Sequence, residues 1–478
     1  MRKIIFLLIP VLLLLDIGYS FLQHSYNVLD GDMPGIILPA SWYAEVLDDP
    51  FAIGVLLDGK EYAAPNRFFC HWGMSKYFKT VPIILQNITD PMNSVYLSCA
   101  IAKTGIQVLL IWIIALLITG TKNIFNKELL LIALVVTPFF QTHGYIISIG
   151  IIESSPTFFF FYTLPFTLLL LFFYPFYDYL FLGKKLEIST PKTLLLLALC
   201  IILPLSSPMI PALVLLVCPL IALKIGIDYF RKTNAISFSK KIIAIIQNIP
   251  VKIYFLFGLI CLMSLYSLYI GTFNIENSSS DIPLLERYAR LPKGLHRMYT
   301  SQLAFYFIAI PILINGILIN KYDKEKLKEF KTYLKWAGIF TLLYILLIPL
   351  GGFRRYRPLM LRHDIMIPVS IILFYLYAWT TYVLLKNLPK KTKYYFISMI
   401  GIVALFFTYS DEPQFNKNKC QKETIKEIVN SEEDIIHLKN KCDILNWGEI
   451  KYPESSQYSS RLLKVWRIID REKVFVQK

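Results

Sequence analysis

Residues 4–22 read IIFLLIPVLLLLDIGYSFL, and a few residues later residues 27–34 read NVLDGDMP. The first run has the roughly 20 mostly apolar residues that a helix needs to cross a bilayer, interrupted by one acid, Asp16. The second places two carboxylates around a glycine where the chain leaves the lipid. Arg2 and Lys3 ahead of an apolar run also fit a signal peptide, but no A-x-A-like site follows and Asp16 breaks the run. It reads as an uncleaved anchor.

Ten further apolar stretches follow, near 95–119, 128–141, 157–182, 193–205, 210–230, 251–271, 302–320, 333–351, 365–385 and 394–409. The stretches at 128–141 and 193–205 are short and end in proline or polar residues, so they are expected to stop early. Of 478 residues 55% are hydrophobic and only 17% charged, with mean hydropathy +0.53. A soluble domain of average composition is about 25% charged, so this surplus of apolar side chains must face lipid. Cytosolic enzymes, secreted disulfide scaffolds and disordered chains are excluded. The expected fold class is an all-α polytopic membrane protein with about 11 transmembrane helices.

Charge placement accounts for the net +16 without nucleic acid. With the N-terminus inside, cytoplasmic loops hold 22 Lys and Arg against 12 in the outer loops of the membrane part, the bias that retains positive charge inside. The chain then divides into a membrane part, 1–410, with a long first outer loop at 23–94, and a small soluble non-cytoplasmic segment at 411–478. Cys420 and Cys442 bracket a helical stretch of that segment. In an oxidising compartment they are expected to form a disulfide, with two buried thiols as the alternative.

Three clusters carry chemistry. In Asp30-Gly31-Asp32, glycine allows a tight turn in which both acids can converge on one cation or one hydroxyl, although an ordinary acidic turn looks the same. In the same loop Asn66, Arg67 and His71 can hydrogen-bond a sugar or phosphate, or simply be solvated. Residues 352–364 hold Arg354, Arg355, Arg357, Arg362 and His363 on the side where positive charge is otherwise sparse. Arginine matches phosphate oxygens bidentately where lysine offers a point charge, so these residues fit a lipid phosphate; a headgroup anchor is the competing reading. His143, beside Gln141, and Glu153 can line an interhelical cavity or sit satisfied in a loop. P-loop, H-E-x-x-H, G-x-S-x-G and C-x-x-C patterns are missing.

Acids just after the first span, a long first outer loop, about eleven spans, late outer arginines and an outer C-terminal segment together resemble the GT-C class of membrane glycosyltransferases, which includes protein O-mannosyltransferases and aminoarabinose transferases. That resemblance implies a sugar donor linked to polyprenyl phosphate, a glycan, lipid or protein acceptor, and an active face away from the cytoplasm, in a bacterial inner membrane or an ER-like one. Asp30 and Asp32 would be the catalytic acids, with Asp32 preferred as base, and the late arginines and His363 would hold the lipid phosphate. Asp30-Gly31-Asp32 has the D-x-D form of some members and lacks the Asp-Glu pair of others, so a divalent metal on Asp30 and Asp32 stays open. The alternative from another class is a lipid-linked oligosaccharide polymerase or transporter.

Overall fold

The structure, a computed structural model, describes residues 2–140, 150–232, 247, 249–277, 282–301, 304–351 and 359–477. It is an α-helical polytopic membrane protein. Nine helices among the described residues are long and apolar enough to cross a bilayer. Leucines and isoleucines such as Leu14, Leu262, Ile317 and Leu405 stand more than 60% exposed on their outer faces, which only lipid makes tolerable.

The two short stretches form short helices. Residues Lys127–Val136 (α7) start at the Asn126 cap and tighten into a 3₁₀ turn at Thr137–Phe139, where Pro138 cannot continue the ladder. Thr190–Ile202 ends just before Pro204. The other nine stretches correspond to the nine long helices, with several boundaries moved.

Local signals explain where the key helices begin. Helix α6, Pro91–Thr119, has Asp90 as a side-chain cap, Pro91 in its first turn and left-handed Gly120 at its end. At 1.5 Å per residue its 29 residues span about 43 Å. Helix α1, Arg2–Ser25, packs along it, with His24 Nε2 3.2 Å from Gln107 Oε1 and Gln107 Nε2 donating to Ser20 Oγ at 3.0 Å. A third helix runs from Pro156 to Phe181, capped by Ser155 and widened by a π turn at Phe159–Thr163. Ile367–Asn387 is the most enclosed span, 78% buried along its apolar window, whereas the window of Lys324–Gly351 is 11% buried and lies at the edge.

Between α1 and α6 the first loop folds into short helices at Met33–Ile37 (α2), Ser41–Asp48 (α3) and Ile53–Asp58 (α4), then the longer Phe68–Leu85 (α5). The C-terminal residues lie on this loop. They comprise a helix at Lys419–Asn430, a parallel pair of strands, β1 (Ile435–Leu438) and β2 (Val474–Gln477), and the helix Gln457–Val465 between them. Cys420 and Cys442 are joined by a disulfide.

The seam between loop and C-terminal segment is extensive. Gln421 accepts from Leu29 N at 2.9 Å and from the Tyr96 hydroxyl at 2.8 Å, and donates to Leu29 O at 3.0 Å. Trp466 is fully buried and donates to Phe78 O at 3.0 Å. Leu29 and Met33 of the loop belong to the same apolar core as Ile425, Leu462 and Phe475. A segment this short gains little from a core of its own; it buries its apolar side chains against the loop.

Candidate functional site

The site grows from the exit of α1. Asp30 is 6% exposed, and both carboxylate oxygens are occupied. Oδ1 accepts from Asp32 N at 3.0 Å and Thr157 Oγ1 at 2.8 Å; Oδ2 accepts from Ser155 Oγ at 2.6 Å and Thr157 N at 2.8 Å. A carboxylate has about four acceptor sites, so Asp30 is saturated. Its place at the first turn of the long Pro156 helix is also where a helix favours an anion. Asp30 therefore pins the first loop to residues 155–157.

This occupancy does not fit a metal held by Asp30 and Asp32, because the lone pairs a cation would need already face hydroxyl and amide donors. Among the described residues no group of three His, Cys, Asp or Glu side chains is arranged to hold a metal ion.

Asp32 opens α2 and is less buried than Asp30. Its Oδ1 accepts from the Trp447 indole Nε1 at 2.9 Å. The Trp447 ring lies nearly parallel to Phe158, 6.4 Å between centroids, and remains 56% exposed.

Behind this pair sits Lys103 of α6, 1% exposed. Its Nζ donates to Asn27 Oδ1 at 2.9 Å and to Ser154 O at 2.6 Å, and it faces the charges of Asp30 and Glu153. Glu153, itself buried, forms an ion pair with His363, Nε2 to Oε1 2.8 Å. Burial is the largest single influence and opposes the charged imidazole, but the charge and hydrogen bond of Glu153 together with the charge of Asp364 outweigh it and raise the His363 pKa above its ordinary value. Arg362 grips buried Asp364 bidentately along one edge of its guanidinium, Nε to Oδ1 at 3.1 Å and Nη2 to Oδ2 at 2.5 Å.

The Asn66, Arg67 and His71 group adjoins from the loop side, where these side chains are largely withdrawn from solvent. His71 is 2% exposed, between the rings of Tyr43 (4.8 Å) and Phe161 (5.0 Å). Burial, reinforced by Arg67, lowers its pKa to about 3, so the ring is neutral. Arg67 Nη1 is 3.5 Å from Glu276 Oε2, and the Tyr43 hydroxyl donates to Glu276 Oε1 at 3.0 Å. His71 Nδ1 and Arg67 Nε are buried with no hydrogen-bond partner among the described residues. Asn66 is a brace, donating from Nδ2 to Ser267 O at 3.1 Å.

Residues 151–163 are the hub. They contact Asp30, Lys103 and His363 through Thr157, Ser154 and Glu153, and His71 through Phe161. Arg354, Arg355, Arg357, Gln141 and His143 lie outside the described residues. Sequence reasoning missed Lys103, Ser155, Thr157, Glu276 and Trp447. Only Lys103 carried a local signal, as a cation inside an otherwise apolar stretch. A separate cavity of about 460 Å³ lies at the other end of the bundle, beside Gly120, Tyr333 and Trp379; the lysines on its rim, Lys184, Lys326 and Lys386, are paired with Asp178, Glu329 and Glu128.

Fold and site together define a multi-pass helical membrane protein with a buried, charge-balanced polar cluster at one end of its bundle. No family model, curated protein or solved structure matches the chain.

Proposed function

We propose that this protein is an integral-membrane glycosyltransferase that moves a sugar from a polyprenyl-phosphate-linked donor to an acceptor hydroxyl on the non-cytoplasmic face. The observation that supports this most is the meeting of Asp30 from the first loop and His363 from the late basic loop on residues 153–157, although the two are more than 300 residues apart in sequence. Glycosyl transfer needs a base for the acceptor and positive charge for the departing phosphate.

In this reading Asp32 takes the proton of the acceptor hydroxyl as its oxygen bonds to the anomeric carbon. The bond from that carbon to the phosphate oxygen breaks, and its electron pair leaves with the polyprenyl phosphate. Asp30 holds the loop, Lys103 and the His363–Glu153 pair set the electrostatics behind it, and the arginines of residues 354–357 receive the phosphate. The neutral His71 ring and Arg67 line the acceptor side.

The test is to reconstitute the purified protein in liposomes with a radiolabelled polyprenyl-phosphate sugar. A new glycoside that is lost in Asp32→Asn supports the transferase. Labelled lipid that crosses the bilayer with no bond formed would replace this reading with transport.

A further inference from the structure

Residue 31 has no room for a side chain. A Cβ on Gly31 would lie 2.4 Å from Trp447 N and 2.5 Å from Asn446 C, a clash with backbone that no rotamer change relieves. The glycine is therefore required by the close approach of the C-terminal segment at residues 443–448. That strap is held on both sides. Cys442, immediately before it, is bonded to Cys420; Gln421 Nε2 donates to Asp443 O at 3.0 Å; Gly448 N returns to Asp443 Oδ1 at 3.1 Å; and Ser459 Oγ donates to Leu445 O at 2.9 Å. Leu445, 1% exposed, takes a left-handed backbone (φ 51°) within it. So much fixation delivers one side chain to the site: the Trp447 indole, whose N–H points at Asp32 Oδ1 from 2.9 Å.

We infer that Trp447 is a positioning residue for Asp32, so that the C-terminal segment completes the site that the first loop begins. This rests on the reading of Asp32 as the base. A hydrogen bond to a charged acceptor is strong and directional. The indole N–H holds one oxygen of the carboxylate, and the anchored strap, with Phe158 alongside the ring, holds the indole. A base must lie within hydrogen-bond reach of the proton it takes, and the indole N–H contributes to holding the Asp32 carboxylate there. The role belongs to the N–H more than to the ring, which separates it from a packing contact.

The experiment compares wild type, Trp447→Phe and Trp447→Ala in liposomes with the labelled polyprenyl-phosphate sugar, and follows hydrogen exchange at residues 29–33. Trp447→Phe keeps a ring against Phe158 and removes the donor, so kcat is expected to fall about tenfold while the donor KM stays within about twofold. Trp447→Ala should cost about the same in kcat, and amides 29–33 should exchange faster in both variants. Wild-type kcat in Trp447→Phe overturns the proposal. If wild-type protein transfers no sugar, or Asp32→Asn keeps full transfer, the functional reading fails instead. The exchange arm then decides the coupling alone, and unchanged protection at 29–33 in Trp447→Phe counts against it.

Discussion

His363 Nε2 lies 2.8 Å from Glu153 Oε1, and two residues further along the chain Ser155 donates to Asp30. One five-residue stretch, 153–157, thus carries a partner for the late basic loop, a carbonyl for Lys103 and three donors for the first-loop acid. The cluster pairs buried acids Asp30, Glu153 and Asp364 with Lys103, His363 and Arg362. That balance is what permits so many ionisable groups to be withdrawn from water.

The two first-loop acids are expected to separate on mutation. Asp30→Asn puts an amide N–H₂ among four donors, so it should lower thermal stability, by about 2 to 3 kcal/mol for hydrogen bonds to a charged group. Asp32→Asn, less buried, should insert and melt like wild type while losing sugar transfer. Melting curves in detergent beside the liposome assay check both. Equal stability of the two variants would remove the structural role given to Asp30.

Lys103→Met should be more damaging than its apolar setting implies. It leaves Asp30 and Glu153 without their shared buried cation, a loss of about 3 to 5 kcal/mol when one partner of a buried charge set is deleted. The pairing Lys103→Met with Asp30→Asn, which removes one charge of each sign, should recover part of the loss. A double-mutant cycle on melting temperature measures this, and strict additivity would show that the two groups do not couple.

These interactions mark where sequence stops being informative. Among the described residues nine of the eleven apolar stretches are helices of spanning length, because about twenty lipid-facing residues write their own signal, and the early stops of the two short ones at Pro138 and Pro204 are local chemistry. The D-x-D spacing was legible, but the different duties of its members were not. What saturates Asp30 comes from Ser155 and Thr157, and what touches Asp32 comes from Trp447, 415 residues away. No periodicity reports a contact of that kind. Of the phenylalanines Phe158–Phe161, Phe172 and Phe173, whose sequence suits a groove for a lipid tail and a lipid-facing helix equally, Phe159–Phe161 and Phe172 are core residues packed against other rings, and Phe158 and Phe173 are half-buried.

Two histidines should give stability opposite pH slopes. His363, faced by Glu153, Asp364 and Arg362, has its pKa raised in the fold. Its contribution is complete below the unfolded value of about 6.5 and is lost as pH rises through the higher folded value. His71, faced by Arg67, Glu276 and Tyr43, has its pKa lowered to about 3. Its contribution is present above about 6.5 and fades as pH falls toward the folded value. Melting temperatures from pH 5 to 8 should show His71→Phe flattening the acid side and His363→Gln flattening the alkaline side. The same profile in both variants would exclude these assignments.

Reduction of the Cys420–Cys442 bond should loosen the C-terminal segment. A loop of 22 residues is worth about 3 kcal/mol by its closure entropy. Cys420→Ser should therefore lower the melting temperature and raise hydrogen exchange at 443–448, and it should depress transfer about as Trp447→Phe does. Wild-type exchange in that strap after complete reduction would show that the seam with the first loop holds it unaided.

The late arginines should divide by what they already hold. Arg362 holds Asp364, which is 2% exposed, through a bidentate pair on one edge of its guanidinium, so Arg362→Ala strands a buried carboxylate and should cost about 3 kcal/mol of stability. Arg362→Lys should restore only part, since lysine cannot form the bidentate pair. Under the proposed function, Arg354, Arg355 and Arg357 receive the donor phosphate before transfer. A hydrogen bond to a charged group is worth about 1.5 to 3 kcal/mol, so losing one to the donor phosphate should raise the donor KM about tenfold or more in at least one of the three Ala variants, with little change in kcat. Donor titrations at fixed acceptor separate the groups: KM moves for one set and melting temperature for the other. If all three Ala variants keep wild-type donor dependence, the cluster is a headgroup anchor, and the phosphate-linked donor loses its main chemical support.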